Sequence, residues 1–415
     1  MILWVSLAFP FFSRLVSMRK MSVRQQVYVA RIGYFLSGFA VACWAPLIPI
    51  LQHNLQLSTE AVSVMVVTFG VGAVVGMLLS GPIMRYFGFK ITYASCCFLI
   101  STTICIIAWM PSYEIVLGAL VLFGISLGCI DVAINVFAAY LEKRYRLLLM
   151  SVLYAYYSMG EVIGAILMMF LLTIAMSPSL AILMLISMIY IASAYYTPVI
   201  INIKSENKHD NRSFVMPVQP VISLALIIAF TYVVGGAILD WSGLYLTMEA
   251  GIPLNYATLG YGIVSACMLV LRIWSRPIIN VIGTFNFAFF GALIMIAGLV
   301  AMVLFPNIIV IIISFFAIGI GMSNISPLTT SATGAQKNMP LVPAISLLSI
   351  CGYTGLLLGP ALLGFIATNI NLSGIFYFLS GLTAISALLI YSCKPQFKAI
   401  DPRSSNQNSS QEQAQ

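Results

Sequence analysis

Two sets of residues in this chain have the types and spacing to do chemistry. Asp131 and Asn135 lie four positions apart, hence on one helix face, and Tyr154, Tyr157, Ser158 and Glu161 repeat at helical spacing along another. The sets occupy two long apolar stretches on either side of a short basic run, Glu142-Lys143-Arg144-Tyr145-Arg146. Apolar stretches of that length cross a bilayer. A carboxylate inside one is costly and is therefore a functional hypothesis. The chemistry open to these groups is reversible proton binding by an acid, and hydrogen bonding of a polar solute by amides, hydroxyls and aromatic side chains. Glu161 is the leading proton-binding candidate, set against a structural hydrogen bond made in its protonated form. Asp131 is the second, set against a buried structural pair with an arginine of a neighbouring helix.

Other stretches carry similar groups. Tyr261, Ser265 and Arg272 share a face, and so do Ser346, Ser349 and Tyr353. Asp240, beside Trp241, is either a solute contact or a hydrated group near an external mouth. Arg272 reads as an interface or loop charge rather than a solute clamp. Trp44, in the run Trp-Ala-Pro-Leu-Ile-Pro, either lines a cavity or packs beside a kink imposed by Pro46 and Pro49. Tyrosine and serine stripes in membrane helices also serve as glue between helices, and that reading stands beside each of these. No nucleotide-binding glycine loop, no HExxH and no Ser-His-Asp context is present, so the chain is not expected to be an enzyme. Without an ATP-binding module, work would be driven by ion or solute gradients.

The elements that position these residues follow from composition. The chain has 415 residues, 61% of them hydrophobic and 7% charged. A soluble domain carries about 25% charged residues. The class is an all-helical integral membrane protein, because apolar runs long enough to span recur and the alternation of barrel strands is missing. The net charge of +8 does not indicate nucleic acid, since the basic residues are scattered singly between apolar runs. The eight cysteines all fall in apolar stretches without metal-ligand spacing and read as small hydrophobes. No cofactor is expected. The expected partners are a small-molecule solute, protons and the bilayer, and a monomer is expected because two halves close one bundle.

Twelve spans are predicted at 29–51, 60–80, 91–110, 115–140, 148–175, 179–200, 219–248, 256–276, 284–304, 308–332, 341–369 and 372–393. They group into a six-helix lobe over 29–200, a polar linker at 201–218 and a second six-helix lobe over 219–393. Residues 1–28 form an N-terminal segment whose first 17 residues read as an interfacial stretch or as sequence upstream of a start at Met18 or Met21. A polar tail at 394–415 is expected to be disordered. All 19 Lys and Arg fall on one side of this arrangement, which places both termini and the linker in the cytoplasm. The third, sixth, ninth and twelfth spans hold no charge and are expected to face lipid, while the others surround a central aqueous cavity. A faint repeat, GPIMRYFG (81–88) and RPIINVIG (276–283), follows the second and eighth spans and supports duplicated halves.

Several stretches resemble the major facilitator superfamily, and more narrowly its MosC-like bacterial branch. They are DVAIN (131–135) with Glu142, LMSVLYAYYSMG (149–160), ILDWSGLYL (238–246), SNISPLTTSATG (323–334) and GYTGLLLGPALLGFIA (352–367). The resemblance runs over nearly all of residues 29–393. It implies a twelve-helix, two-lobed transporter working by alternating access, and it places Asp131, Asn135, Asp240, Trp241 and Asn324 in family elements. The loop after span two departs from the family pattern. It keeps Gly81, Gly88 and Lys90 as conformational gating residues, but Arg85 and Tyr86 stand where an Asp followed by Arg is usual, so the cytoplasmic latch must differ. Leu47 stands where the branch often has a basic residue, Tyr154 where it often has His, and Glu161 where it often has a small residue.

The expected function is proton-linked secondary transport of a small polar organic solute, such as a sugar or polyol, across a bacterial cytoplasmic membrane, with uptake favoured over export. Its solute-binding candidates are Trp44, Asn135, Tyr154, Tyr157, Ser158, Asp240, Trp241, Tyr261, Asn324 and Tyr353. The alternatives are a proton-driven exporter of drugs or lipophilic cations, and a non-transporting solute sensor of the same fold.

Overall fold

The computed structural model describes residues 22–44, 47–109, 112–174, 176–196, 218–249, 251 and 259–403. The first 21 residues, with their candidate starts, and the linker up to residue 217 lie outside these. The described residues are helical, with no strand among them. In chain order the helices are α1 (Val23–Trp44), α2 (Leu47–Asn54), α3 (Thr59–Ala108), α4 (Tyr113–Tyr145), α5 (Met150–Thr173), α6 (Pro178–Tyr196), α7 (Gln219–Leu244), α8 (Leu259–Ile273), α9 (Ser275–Ile282), α10 (Thr284–Leu304), α11 (Ile308–Met322), α12 (Ile325–Ala335), α13 (Leu341–Asn369), α14 (Leu372–Ser392) and α15 (Lys394–Ala399). A π turn, Tyr245–Glu249, extends α7.

Among the described residues 9 helices are long and apolar enough to cross a membrane, or 10 when α8 and α9, bent by 68°, count as one span. The 50-residue α3 holds two expected spans, because Gly88 interrupts it with φ 77° and ψ 165°. Gly283, at the matching place of the second half, has φ 87° and ψ 161°. The faint sequence repeat is thus a repeated backbone break, in a conformation that glycine adopts without a Cβ penalty. With α3 divided at Gly88 and the shorter α6 included, the described helices are consistent with twelve segments. The first helix begins six residues before the predicted span. Ser22 and Gln25 form a capping box: Gln25 N donates to Ser22 Oγ at 3.4 Å, Ser22 N donates to Gln25 Oε1 at 3.0 Å, and α1 begins at Val23.

The chain divides into two compact units: Met1–Phe137 with Tyr156–Asn211, and Ala138–Ala155 with Arg212–Gln415. Both α4 and α5 are shared, so the adjoining ends of these helices and the turn joining them belong to the second unit.

In the first unit small residues let helix backbones touch. A Cβ on Gly76 would lie 2.0 Å from the Ile125 carbonyl oxygen, and one on Gly128 would lie 1.9 Å from that of Ala73. Gly72 with Gly76 on α3 meets Gly124 with Gly128 on α4, a Gly-xxx-Gly pair on each side of the crossing. Helices α1 and α5 approach the same way, with Gly38 against the Tyr157 carbonyl and Gly160 against that of Phe35. The second unit repeats the scheme. Gly355 of α13 meets the Ala229 carbonyl of α7, and Gly319 of α11 meets that of Val264 on α8.

The disordered tail expected from residue 394 is corrected for its first ten residues. Lys394–Ala399 is helical, and Phe397 is fully buried. The run KPQFKAIDPR is polar in composition, but Phe397 anchors it. Asp401 Oδ2 accepts from Thr284 N at 3.2 Å, at the first residue of α10, where a carboxylate complements the helix dipole. Thr284 Oγ1 donates to the Phe397 carbonyl at 2.6 Å, and Arg403 pairs with Asp401 at 2.8 Å while Arg403 Nη1 donates to the Val281 carbonyl at 3.1 Å. A Cβ on Gly283 would lie 1.7 Å from Arg403 Nη2.

Burial pushes the Asp401 carboxyl upward, but the hydrogen bonds and charge of Arg403 and the Thr284 N–H outweigh it and hold the group below its ordinary 3.8. A depressed carboxylate contributes stability that is full above its ordinary range and is lost as pH falls through the folded value. Asp401→Asn is therefore expected to lower the Tm at pH 7, with the gap to wild type narrowing below about pH 4. Thermal unfolding of both proteins from pH 3 to pH 7 checks this; a gap that is constant over the whole range contradicts it.

Candidate functional site: polar faces within the membrane helices

The first unit brings together the residues that sequence spacing put on one face of α4. Tyr34 Oη donates to Asn135 Oδ1 at 2.7 Å, and Asn135 Nδ2 donates to the Asp131 carbonyl at 2.9 Å and to Asp131 Oδ1 at 3.5 Å. Asn135 is buried and Asp131 half-buried. The network is oriented: the tyrosine donates, the amide relays, and the carboxylate accepts. One turn before Tyr34, the Arg31 guanidinium lies 5.5 Å from the Tyr156 ring centroid, and its Nε is buried without a hydrogen-bond partner. Tyr157, Ser158 and Glu161 are half-buried on α5, next to the contact of Gly38 with the Tyr157 backbone.

Trp44 is buried in an aromatic cluster, 6.1 Å from both Phe69 and Phe123, whose rings stack at 5.1 Å. The kink expected at Pro46 and Pro49 falls partly outside the described residues; α1 stops at Trp44 and α2 starts at Leu47. In the 81–90 stretch Arg85 is exposed, Gly81 and Lys90 are half-buried, and Gly88 is buried at the break.

In the second unit the centre of the polar face is the break in span ten, between α11 and α12. Arg272 Nε, from the last turn of α8, donates to the Ser323 carbonyl at 2.9 Å. Asn324 Nδ2 donates to Ser323 Oγ at 3.1 Å and to the Leu271 carbonyl at 3.4 Å, while Asn324 Oδ1 is buried without a hydrogen-bond partner. The Arg272 guanidinium lies 5.6 Å from the Tyr154 ring centroid, and Tyr154 Oη sits 3.5 Å from Thr330 Oγ1. Arg272, read from sequence as an interface or loop charge, is a buried member of this network. Its role is physical as well as polar: a broken span frees backbone carbonyls inside the membrane, and a guanidinium satisfies one of them.

Tyr154 is counted with the second unit, while Tyr157, Ser158 and Glu161, on the same continuous helix, are counted with the first. Tyr353 packs near Tyr232 at 6.5 Å. Trp241 Nε1 and Ser265 Oγ are buried without hydrogen-bond partners. Asp240 and Tyr261 are exposed and join none of the hydrogen bonds above.

Two partners escaped the sequence reading. Tyr34 lies 101 positions from Asn135 and carries no local signal. Glu142, inside the basic run, is buried and accepts from Leu149 N, from Met150 N at 2.8 Å and from Ser331 Oγ at 3.1 Å. Asn324 was found, but not the helix break at which it stands; Pro327 in the first turn of α12 was the available signal. All eight cysteines are free thiols.

Comparison with known proteins gives the class. The family model for the Major Facilitator Superfamily matches residues 31–340. An uncharacterized MFS-type transporter of Yersinia pestis is 28% identical over 354 residues, 85% of this chain and 92% of the relative. The membrane protein MosC of Rhizobium meliloti is 23% identical over 354 residues, 85% of this chain and 86% of the relative. Among solved structures, the fucose:proton symporter FucP of E.coli superposes with a TM-score of 0.75 at 17% identity, over 90% of this chain and 99% of that one. This chain belongs to the Major Facilitator Superfamily, and its fold is that of the superfamily's transporters.

Proposed function

We propose that this protein is a proton-linked secondary transporter of a small polar organic solute, such as a sugar or polyol, in a bacterial cytoplasmic membrane, with both termini cytoplasmic. The observation that carries this reading is the Tyr34–Asn135–Asp131 network inside membrane-spanning helices, with Tyr34 and Asn135 buried and Asp131 half-buried. Such a network is built from uncharged hydrogen-bonding groups beside one acid, which suits hydroxyl-bearing solutes better than lipophilic cations. The fold is shared with a fucose:proton symporter, which supports the same class of solute and the same driving ion. Within the first unit the solute contacts fall to Asn135, Tyr157 and Ser158; within the second, taken by itself, the candidates are Trp241, Asn324 and Tyr353. Glu161 and Asp131 carry the proton.

The test is the melting temperature of the purified protein with polyols, sugars, nucleosides, amino acids and lipophilic cations, at pH 5.5 and pH 7.5, because a ligand of the folded state raises stability by mass action. A polyol or sugar is expected to stabilise the wild type with a pH dependence that Glu161→Gln removes. Stabilisation by lipophilic cations alone contradicts the polar-solute reading. A pH dependence unchanged in Glu161→Gln moves the proton site away from that residue.

A further inference from the structure

Arg31 is a charge inside a membrane helix with no counter-charge. It belongs to α1, one of the helices long and apolar enough to span, and lies three residues before Tyr34. Among the described residues its side chain makes no hydrogen bond and no ion pair. Its Nε is buried, and its guanidinium lies 5.5 Å from the centroid of the half-buried Tyr156 ring. Its N–H groups thus have no acceptor among the described residues, although a guanidinium has donors on every nitrogen. A half-buried charge in that condition costs the protein stability. The acid on the same polar face does not relieve it, since Asp131 accepts from Asn135 instead. The first unit therefore keeps a fixed positive group, backed by an aromatic ring, with its donors open.

We propose that Arg31, backed by Tyr156, is a binding subsite for a carboxylate, and that the solute is a hydroxylated acid, an aldonate or uronate, rather than a neutral sugar. This narrows the solute class of the transporter reading above, on which it rests. The donors of a guanidinium form a planar fork that matches the two oxygens of a carboxylate, and contact with a ring face leaves that fork free. The neighbouring Tyr34–Asn135–Asp131 network supplies partners for hydroxyls. Three residues of helix rise put Tyr34 about 4.5 Å beyond Arg31 along the axis, close to the separation of the carboxylate from the middle hydroxyls of a sugar acid. A neutral polyol satisfies the network and leaves Arg31 as costly as before. A sugar acid satisfies both, so its binding also relieves the unpaired charge. A phosphate monoester fits less well, because a single guanidinium balances one negative charge and not two.

Ligand-induced shifts in the Tm of the purified full-length protein give the affinities that test this. The probes come in pairs, an acid with its neutral counterpart: gluconate with glucitol, glucuronate with glucose, and the matching pairs of the galacto and manno series. The wild type is expected to bind at least one acid about tenfold more tightly than its counterpart, the effect of charge-assisted hydrogen bonds. Arg31→Gln is expected to abolish that preference, the acid losing more affinity than its neutral partner. Arg31→Lys keeps the charge without the fork and is expected to retain part of the preference. Arg24→Gln, at an exposed position of the same helix, is expected to leave the preference as it is. Without ligand, Arg31→Gln is expected to melt no lower than the wild type, since it removes an unpaired charge, whereas a purely structural arginine would lower the Tm. Equal affinity for acids and neutral counterparts in the wild type, a preference that survives Arg31→Gln, or an equal loss in Arg24→Gln overturns the subsite, and binding of the neutral solutes then leaves the transporter reading standing. Tighter binding of a hexose phosphate than of any sugar acid overturns the carboxylate assignment. Stabilisation by none of the probes overturns the polar-solute reading together with the subsite.

Discussion

Gly128→Leu is expected to be the most damaging single substitution in the first unit. Even the Cβ would lie 1.9 Å from the Ala73 carbonyl oxygen and 2.7 Å from its carbon, and both are backbone atoms that no rotamer change moves. The side chain can enter only if α3 and α4 separate, which undoes the reciprocal contact of Gly76 with Ile125. Overpacking of this kind costs about 3 kcal/mol or more, a large part of ordinary domain stability. The measurement is thermal unfolding and monodispersity of the purified protein, with Gly118→Ala as the control. Gly118 lies on the same helix with nothing within 4 Å of its Cβ position, so alanine there should be neutral or slightly stabilising. Equal behaviour of the two variants contradicts the packing account.

Asn135→Leu should have the largest effect on transport. Leucine fills the volume of the amide but removes the acceptor that Tyr34 Oη meets at 2.7 Å and the donor to Asp131. Leaving buried polar groups short of a partner costs about 1–3 kcal/mol, and the same loss on the bound solute corresponds to roughly tenfold to a hundredfold in transport efficiency. The double variant Tyr34→Phe/Asn135→Leu separates the two consequences. Removing both partners should recover part of the lost Tm, as matched apolar replacements do, without recovering uptake. Recovery of uptake in the double variant means that the network is structural glue and not a solute contact.

The residues differ in how openly they declare their roles. Asp131 and Asn135 were legible because both signals are local: helical spacing, and acids in an apolar stretch. The repeat that holds Gly88 and Gly283 was legible as a sign of duplicated halves, and the structure adds that each glycine breaks the backbone before a new apolar run. Tyr34 was not, because the hydrogen bond that gives it meaning is made in three dimensions between helices far apart in sequence. Glu142 was concealed by its neighbours. Amid Lys143, Arg144 and Arg146 an acid reads as one more solvated charge, and only the fold shows it turned inward onto the first turn of α5. The tail misled for a related reason. Its polar composition hid one buried phenylalanine, Phe397, and an aspartate whose partner, the start of α10, lies 117 residues earlier. Trp44 shows the ambiguity of aromatic residues beside proline, since lining and packing leave the same mark in sequence, and here its ring is surrounded by Phe69 and Phe123.

The measurement that tests the central claim most directly is accumulation of a labelled polyol or sugar in proteoliposomes under an imposed proton gradient, with Asn135→Leu in parallel. The account predicts saturable accumulation in the wild type that collapses when the gradient is dissipated, and little accumulation in the variant. Solute that binds without crossing the bilayer, or flux confined to lipophilic cations, would contradict it.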